Sequence, residues 1–198
     1  MSISAQLVKE LRDRSGVGMM DCKKALLESK GDLDKAFEVL RKNGVAKAQK
    51  KAGREAKEGS VISYIHPGSK LGVLLELNCE TDFVANTDDF KNLANDICMH
   101  IAATSPISIS SEDVSESLLD KEKEIYLSQA KKSGKPENII EKMVEGRIKK
   151  FLQENVLLEQ NFVKDPSKTI TDLITDKVSV LGENIVVNSF SRFQIGEK

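Results

Sequence analysis

Residues 71–90 read LGVLLELNCETDFVANTDDF, and their reading decides the fold. LGVLLELN (71–78) is an apolar run of the length of one buried strand. From Thr87 the period changes. Thr87 suits an N-cap, Asp88 and Asp89 suit the first helical turn, and Phe90, Leu93, Ala94, Ile97, Cys98 and Ile101 fall on one helical face. Upstream, SVISYIH (60–66) and the turn PGSK (67–70) complete a β-hairpin with 71–79. Downstream, PISISSED (106–113) is expected as a short edge strand. Amphipathic helices follow at roughly 115–132 and 137–158, with Gly134 and Pro136 as stop and start signals. The second carries Ile140, Met143, Val144, Ile148, Phe151 and Leu152, and the short loop makes the pair an antiparallel hairpin. DPSK (165–168) precedes a helix from about Thr171 to Leu181 that ends at Gly182. ENIVVNSFSRFQI (183–195) alternates as a final strand. The predicted class is α+β, an antiparallel sheet with helices on one face and a projecting helical hairpin over about 115–158.

Toward the N-terminus the pattern is helical. Ile3, Leu7, Val8 and Leu11 recur at helical spacing behind Ser4, a candidate cap, and SGVGMMD (15–21) breaks the run. A second helix through Cys22, Ala25 and Leu26 is expected to stop at Gly31. A third, capped by Asp32 and carrying Leu33, Ala36, Phe37 and Leu40, is expected to stop at Gly44. Three short helices over 1–45 resemble a ubiquitin-associated-type module. AKAQKKAGREAKEG (46–59) reads as a basic, solvated linker, and 60–198 as the α+β core domain.

Composition limits the function classes. The 198 residues are 39% hydrophobic and 31% charged, ordinary for a globular chain long enough to bury a core. No apolar run reaches the roughly 18 residues of a membrane helix, and MSISAQLVKELRDR lacks the apolar stretch of a secretory signal. Cys22, Cys79 and Cys98, odd in number and without a CxxC, predict free thiols in a reducing cytoplasm. Residues 1–58 hold 14 Lys and Arg against 9 Asp and Glu, while the remainder is acidic, an asymmetry that marks two modules with different partners.

Covalent chemistry finds no support. His66 ends a strand and His100 lies on the helix after Thr87; both are expected as surface or boundary residues rather than bases. GVG (16–18) is no phosphate loop, and Asp82, Asp88 and Asp89 lack the alternation of a calcium loop. Lys47, Lys50, Lys51, Arg54 and Lys57 have no interleaved aromatic and are diluted by Glu55 and Glu58, so direct nucleic-acid binding is not expected. What remains is a surface that acts on another protein. Met19 and Met20 sit together at a turn, suited either to adaptable contacts or to the bundle core. Phe83, between strand and helix, is either a core anchor or an exposed apolar wedge.

VKELRDRSGVGMMDCKKAL (8–26), KAGREAKEG (51–59), LELNCETDFVAN (75–86), LLEQNFVKDPSKTI (157–170) and GENIVVNSFSRFQIGE (182–197) closely resemble the bacterial elongation factor Ts family, nearly end to end. The resemblance implies a cytoplasmic guanine nucleotide exchange factor, not an enzyme, whose partner is elongation factor Tu. It implies that Thr81, Asp82, Phe83 and Val84 enter the partner's GTPase domain near its Mg²⁺, where Phe83 wedges between helices and disturbs the ion and the phosphate loop. Arg12, Met19 and Met20 match positions that pack against another part of that domain. The chain itself needs no cofactor. Longer family members have two related core subdomains; this chain has room for one, so the resemblance implies a homodimer formed through 60–198. A protein-binding adaptor and an RNA-binding translation protein are the alternative functions, separated by a nucleotide-release assay and by salt-dependent retention on tRNA.

Overall fold

The computed structural model describes residues 3–132 and 136–197, so the expected stop at Gly134 lies outside the described residues. The chain divides into two compact units. One comprises 1–62, 75–95 and 172–188, the other 63–74, 96–171 and 189–198.

In the first unit, α1 (Ala5–Ser15) starts as expected, with the Ser4 hydroxyl accepting from the Leu7 N–H at 3.2 Å. Helix α2 (Met19–Glu28) ends earlier than Gly31 predicts. Lys30, at φ 55°, takes the first left-handed position, and the Gly31 N–H then reaches back to the Leu26 carbonyl at 2.8 Å. Helix α3 (Leu33–Lys51) is capped by Asp32, which accepts from the N–H groups of Asp34 and Lys35. Val8, Leu11, Val17, Cys22, Ala25, Leu26, Ala36 and Leu40 form one apolar core among these helices, with Phe37 and Val180 packed against it.

The expected stop at Gly44 is wrong, because α3 runs through it to Lys51. Glycine in a helix interior costs about 1 kcal/mol relative to alanine. Here it serves close packing: a Cβ at Gly44 would lie 3.0 Å from the Ser179 hydroxyl. The linker expected over 46–59 is therefore helix as far as Lys51, and Glu58 already opens β1 (Glu58–Ile65). Four of its five cations are engaged within the unit. Lys47 pairs with Asp21 at 2.7 Å, Arg54 with Glu80 at 3.4 Å and Lys57 with Glu55 at 2.8 Å, while the Lys51 ammonium donates to the Gly182 carbonyl.

Strands β1, β2 (Leu71–Cys79) and β5 (Ile185–Gln194) lie side by side in the order β1-β2-β5. In β2, Val73, Leu75, Leu77 and Cys79 alternate inward and are buried. Gly59 is held at φ 144°, and an added Cβ would meet the Leu77 carbonyl oxygen at 2.2 Å, so only glycine fits. Helix α4 (Asp82–Ala85) is a single turn that periodicity did not predict, and α5 (Asp88–Thr104) follows with its predicted stripe buried. In the second unit, the expected strand at 106–113 reduces to one bridge, Ser108 with Val156, and a 3₁₀ turn at Ser111–Asp113. Asp113 bonds back to Ser110, closing a cap where a strand would have continued. Helices α6 (Glu116–Lys131) and α7 (Glu137–Asn155) contact one another, with the Arg147 guanidinium 5.6 Å over the Tyr126 ring, within reach of a cation–π contact.

Helix α7 stops three residues short of the expected 158, and Leu157–Glu159 forms a 3₁₀ turn. DPSK falls in a strand: β4 (Asp165–Thr169) pairs antiparallel with β3 (Asn161–Phe162), and α8 (Ile170–Leu181) follows directly, as the sequence predicted for a helix after DPSK. His100 is the clearest correction in this unit. It is fully buried, bonded through Nε2 to Gln160 Oε1 at 2.9 Å, and Nδ1 accepts from the Val163 N–H at 3.3 Å. Burial holds it below the ordinary histidine range, and the Gln160 bond offsets part of that. No helix among the described residues is long and apolar enough to cross a membrane.

Candidate functional site

The site is built where β2 ends. Cys79 is the last inward residue of the strand, and its thiol donates to the Thr81 carbonyl at 3.1 Å. Burial first, and then the Glu183 carboxylate, push that thiol above the usual range, so it is a packed donor and not a nucleophile. Thr81 is extended (φ −134°) and caps α4, its hydroxyl accepting from the Val84 N–H at 3.4 Å. Asn86 closes the turn, donating through Nδ2 to the Asp82 carbonyl at 2.9 Å. Thr87 ends one helix and begins the next: its hydroxyl donates to the Val84 carbonyl at 2.8 Å and accepts from the Phe90 N–H at 3.3 Å.

Within this turn the side chains sort sharply. Val84 and Ala85 are buried and fasten the inner side of α4. Phe83 is 79% exposed. The anchor reading of Phe83 is therefore overturned, and the ring stands in solvent on a fixed backbone. Exposing a phenylalanine forfeits about 1.5–3 kcal/mol of burial, which a partner can recover.

Polar groups from a distant stretch hold the turn. The Glu183 carboxylate accepts from the Thr81 N–H at 3.0 Å and from its hydroxyl at 2.7 Å. Glu80 accepts from the Asn184 N–H at 2.7 Å. That bond, and after it Arg54, holds its carboxyl below the usual range. Asn184, buried, donates through Nδ2 to the Arg54 carbonyl at 2.8 Å. Sequence reasoning missed Glu80, Glu183 and Asn184. The only signal was that Glu80 falls in LELNCETDFVAN and Glu183 and Asn184 in GENIVVNSFSRFQIGE, two of the stretches carrying the family resemblance.

Arg12, Met19 and Met20 lie apart from this turn in sequence, at the end of α1 and the start of α2. All three are exposed, Met19 by 43% and Met20 by 68%, so neither methionine fills the bundle core. Gly18 precedes them and supplies no side-chain cap to α2, while the Asp21 N–H bonds the Gly18 carbonyl at 3.0 Å. Among the described residues, no group of three His, Cys, Asp or Glu is placed to hold a metal ion.

Comparison with known proteins bears on what such a surface is for. Residues 27–197 match the family model described as Elongation factor TS. The chain is 60% identical over 197 residues to Elongation factor Ts of Fervidobacterium nodosum, covering 100% of both chains. It is 58% identical over 195 residues to that of Thermoanaerobacter sp. (strain X514), covering 98% of this chain and 96% of the relative. Elongation factor Ts of Syntrophobacter fumaroxidans is 52% identical over 198 residues, covering 100% and 99%. A match of this extent, with TDFV and GMMD inside it, leaves one conclusion: the chain belongs to the elongation factor Ts family.

Proposed function

We propose that the chain is a guanine nucleotide exchange factor of translation elongation, acting in the cytoplasm on GDP-bound elongation factor Tu. The observation that carries this is Phe83, an exposed aromatic ring on a turn held by the Glu183 carboxylate through the Thr81 amide and hydroxyl. Thr81, Asp82 and Phe83 enter the partner near its Mg²⁺ site, while Val84, which the resemblance placed with them, is buried and holds the turn from inside; Arg12, Met19 and Met20 hold a second part of the same domain. Reciprocity gives the mechanism. A factor that binds the nucleotide-free partner better than the GDP form must weaken GDP by the same ratio. Mg²⁺ bridges phosphates and protein, so disturbing it removes much of the nucleotide's electrostatic hold. The chain itself makes and breaks no covalent bond in this reading and brings no cofactor.

The finer architecture belongs to the same reading. Residues 1–45 act as the ubiquitin-associated-like module, and α6 with α7 as a projecting antiparallel hairpin. The core pairs as a homodimer. Ile65, Phe193 and Ile195, exposed around a cleft beside the hairpin turn, supply apolar surface for that pairing. A light-scattering mass of one chain at micromolar concentration, with full exchange activity, would break the dimer part alone. The nucleic-acid alternative loses ground because Lys47, Arg54 and Lys57 already face carboxylates of their own chain.

The deciding experiment is GDP release from GDP-loaded elongation factor Tu, wild type against Phe83→Ala, with Mg²⁺ and then with excess chelator. Loss of one buried ring predicts roughly ten- to hundredfold slower release with Mg²⁺. The defect should shrink once the ion is gone. Equal defects in both conditions would rule out magnesium displacement, and no acceleration by the wild type would rule out exchange.

A further inference from the structure

Resting on the exchange reading, we propose that Glu183 is a positioning residue, which clasps Thr81 so that Phe83 is presented in one orientation. A ring on a free loop returns less on burial than the ordering of that loop costs, so an effective wedge must be ordered beforehand. Helix α4 cannot order itself, because a single helical turn is shorter than any helix stable alone. Val84 and Ala85 hold its inner side by burial. On the entering side Thr81 is exposed, so burial does not fix it.

Glu183 fills that role by chemistry. Its two carboxylate oxygens take the two donors of Thr81, the amide and the hydroxyl, in charge-assisted bonds of 3.0 and 2.7 Å. The remaining groups of Thr81 are also engaged. Its carbonyl accepts from the Cys79 thiol, and its hydroxyl lone pair accepts from Val84. The arrangement is reciprocal: Glu80, adjacent to Thr81, takes the N–H of Asn184, adjacent to Glu183. Each of the two dipeptides thus lends a carboxylate to the other's backbone. The 182–184 stretch is fixed in turn by Lys51, which donates to the Gly182 carbonyl, and by Asn184, which donates to the Arg54 carbonyl.

The chain contains no tryptophan, so Phe83→Trp installs a single reporter at the wedge. Time-resolved anisotropy of that indole in the free protein reads the clasp without any partner. Adding Glu183→Ala should at least double the amplitude of fast local motion, with Glu183→Gln intermediate and Thr81→Val, which removes the hydroxyl limb alone, smaller. Unchanged anisotropy in all three would overturn the proposal, and Thr81→Val keeps the test open if Glu183→Ala does not fold. The second arm is a double-mutant cycle on GDP release. Glu183→Ala should slow release about tenfold when Phe83 is present and have no effect in the Phe83→Ala background. An equal slowing in both backgrounds would overturn the proposal, since Glu183 would then act independently of the ring. Raised local motion at position 83, with no acceleration of release by the wild type, would support the clasp and sink the exchange reading.

Discussion

Phe83 and Phe90 stand seven residues apart, the spacing that places two side chains on one face of a continuous helix. They end in opposite environments, Phe83 in solvent and Phe90 fully buried. The cause lies between them. The chain leaves helix at Asn86 and re-enters it at Asp88, with Thr87 serving both ends, so the two rings belong to different axes. Residue type does not decide burial here; the position of a cap does. Phe90→Ala should cost about 3–5 kcal/mol in urea unfolding, as buried phenylalanine truncations do. Phe83→Ala should stay within about 0.5 kcal/mol of wild type, as exposed substitutions do. Comparable losses at the two positions would erase the distinction.

A second contrast sets the Phe83 turn against the start of α2. Phe83 is one ring on a backbone secured at both ends, while Met19 and Met20 are flexible side chains on a helix start with no side-chain cap. Rigid and adaptable contacts should therefore divide the labour, Phe83 governing release and the methionines governing affinity. Met20, the more exposed, has more area left to bury. Met20→Ala should weaken binding to nucleotide-free elongation factor Tu by up to about 1.5–3 kcal/mol, and Met19→Ala by less. Titration calorimetry on both variants checks the order, and the reverse order would mean that Met19 is uncovered on binding.

The sequence exposed most of this architecture through local signals. Ser4, Asp32 and Thr87 cap helices as their side chains allow, and the stripe from Phe90 to Ile101 is buried because its period is unambiguous. The failures share a physical origin. Gly44 carries the same local signature as a terminator, and only the approach of Ser179 reveals it as a packing residue. His100 could not be placed because its partners, Gln160 and Val163, lie 60 and 63 residues away. The site was legible in the exposed apolar residue and illegible in its support. Glu183 sits 102 residues beyond Thr81, a separation across which periodicity and capping carry no information.

The smallest effects come from titration, and they separate the buried end of α5 from the Phe83 turn. His100 is neutral in the fold: Nδ1 accepts from Val163, so Nε2 carries the proton donated to Gln160. Burial lowers its pKa below the unfolded value of about 6.5. As pH falls through 6.5, the unfolded chain takes a proton that the folded chain refuses. Stability must then fall, by at most about 1.4 kcal/mol per pH unit. Glu80 behaves as a depressed carboxylate. Its contribution is present above the ordinary glutamate range and is lost as pH drops through the lowered folded value. Asp32, Asp113 and Asp165 are lowered as well, so the acid window is shared and Glu80 supplies only part of it. Urea midpoints from pH 8 to 3.5 should show two steps. His100→Gln should remove the upper step, and Glu80→Gln should trim only the lower one. An upper step that survives His100→Gln would place the sensitive group outside α5.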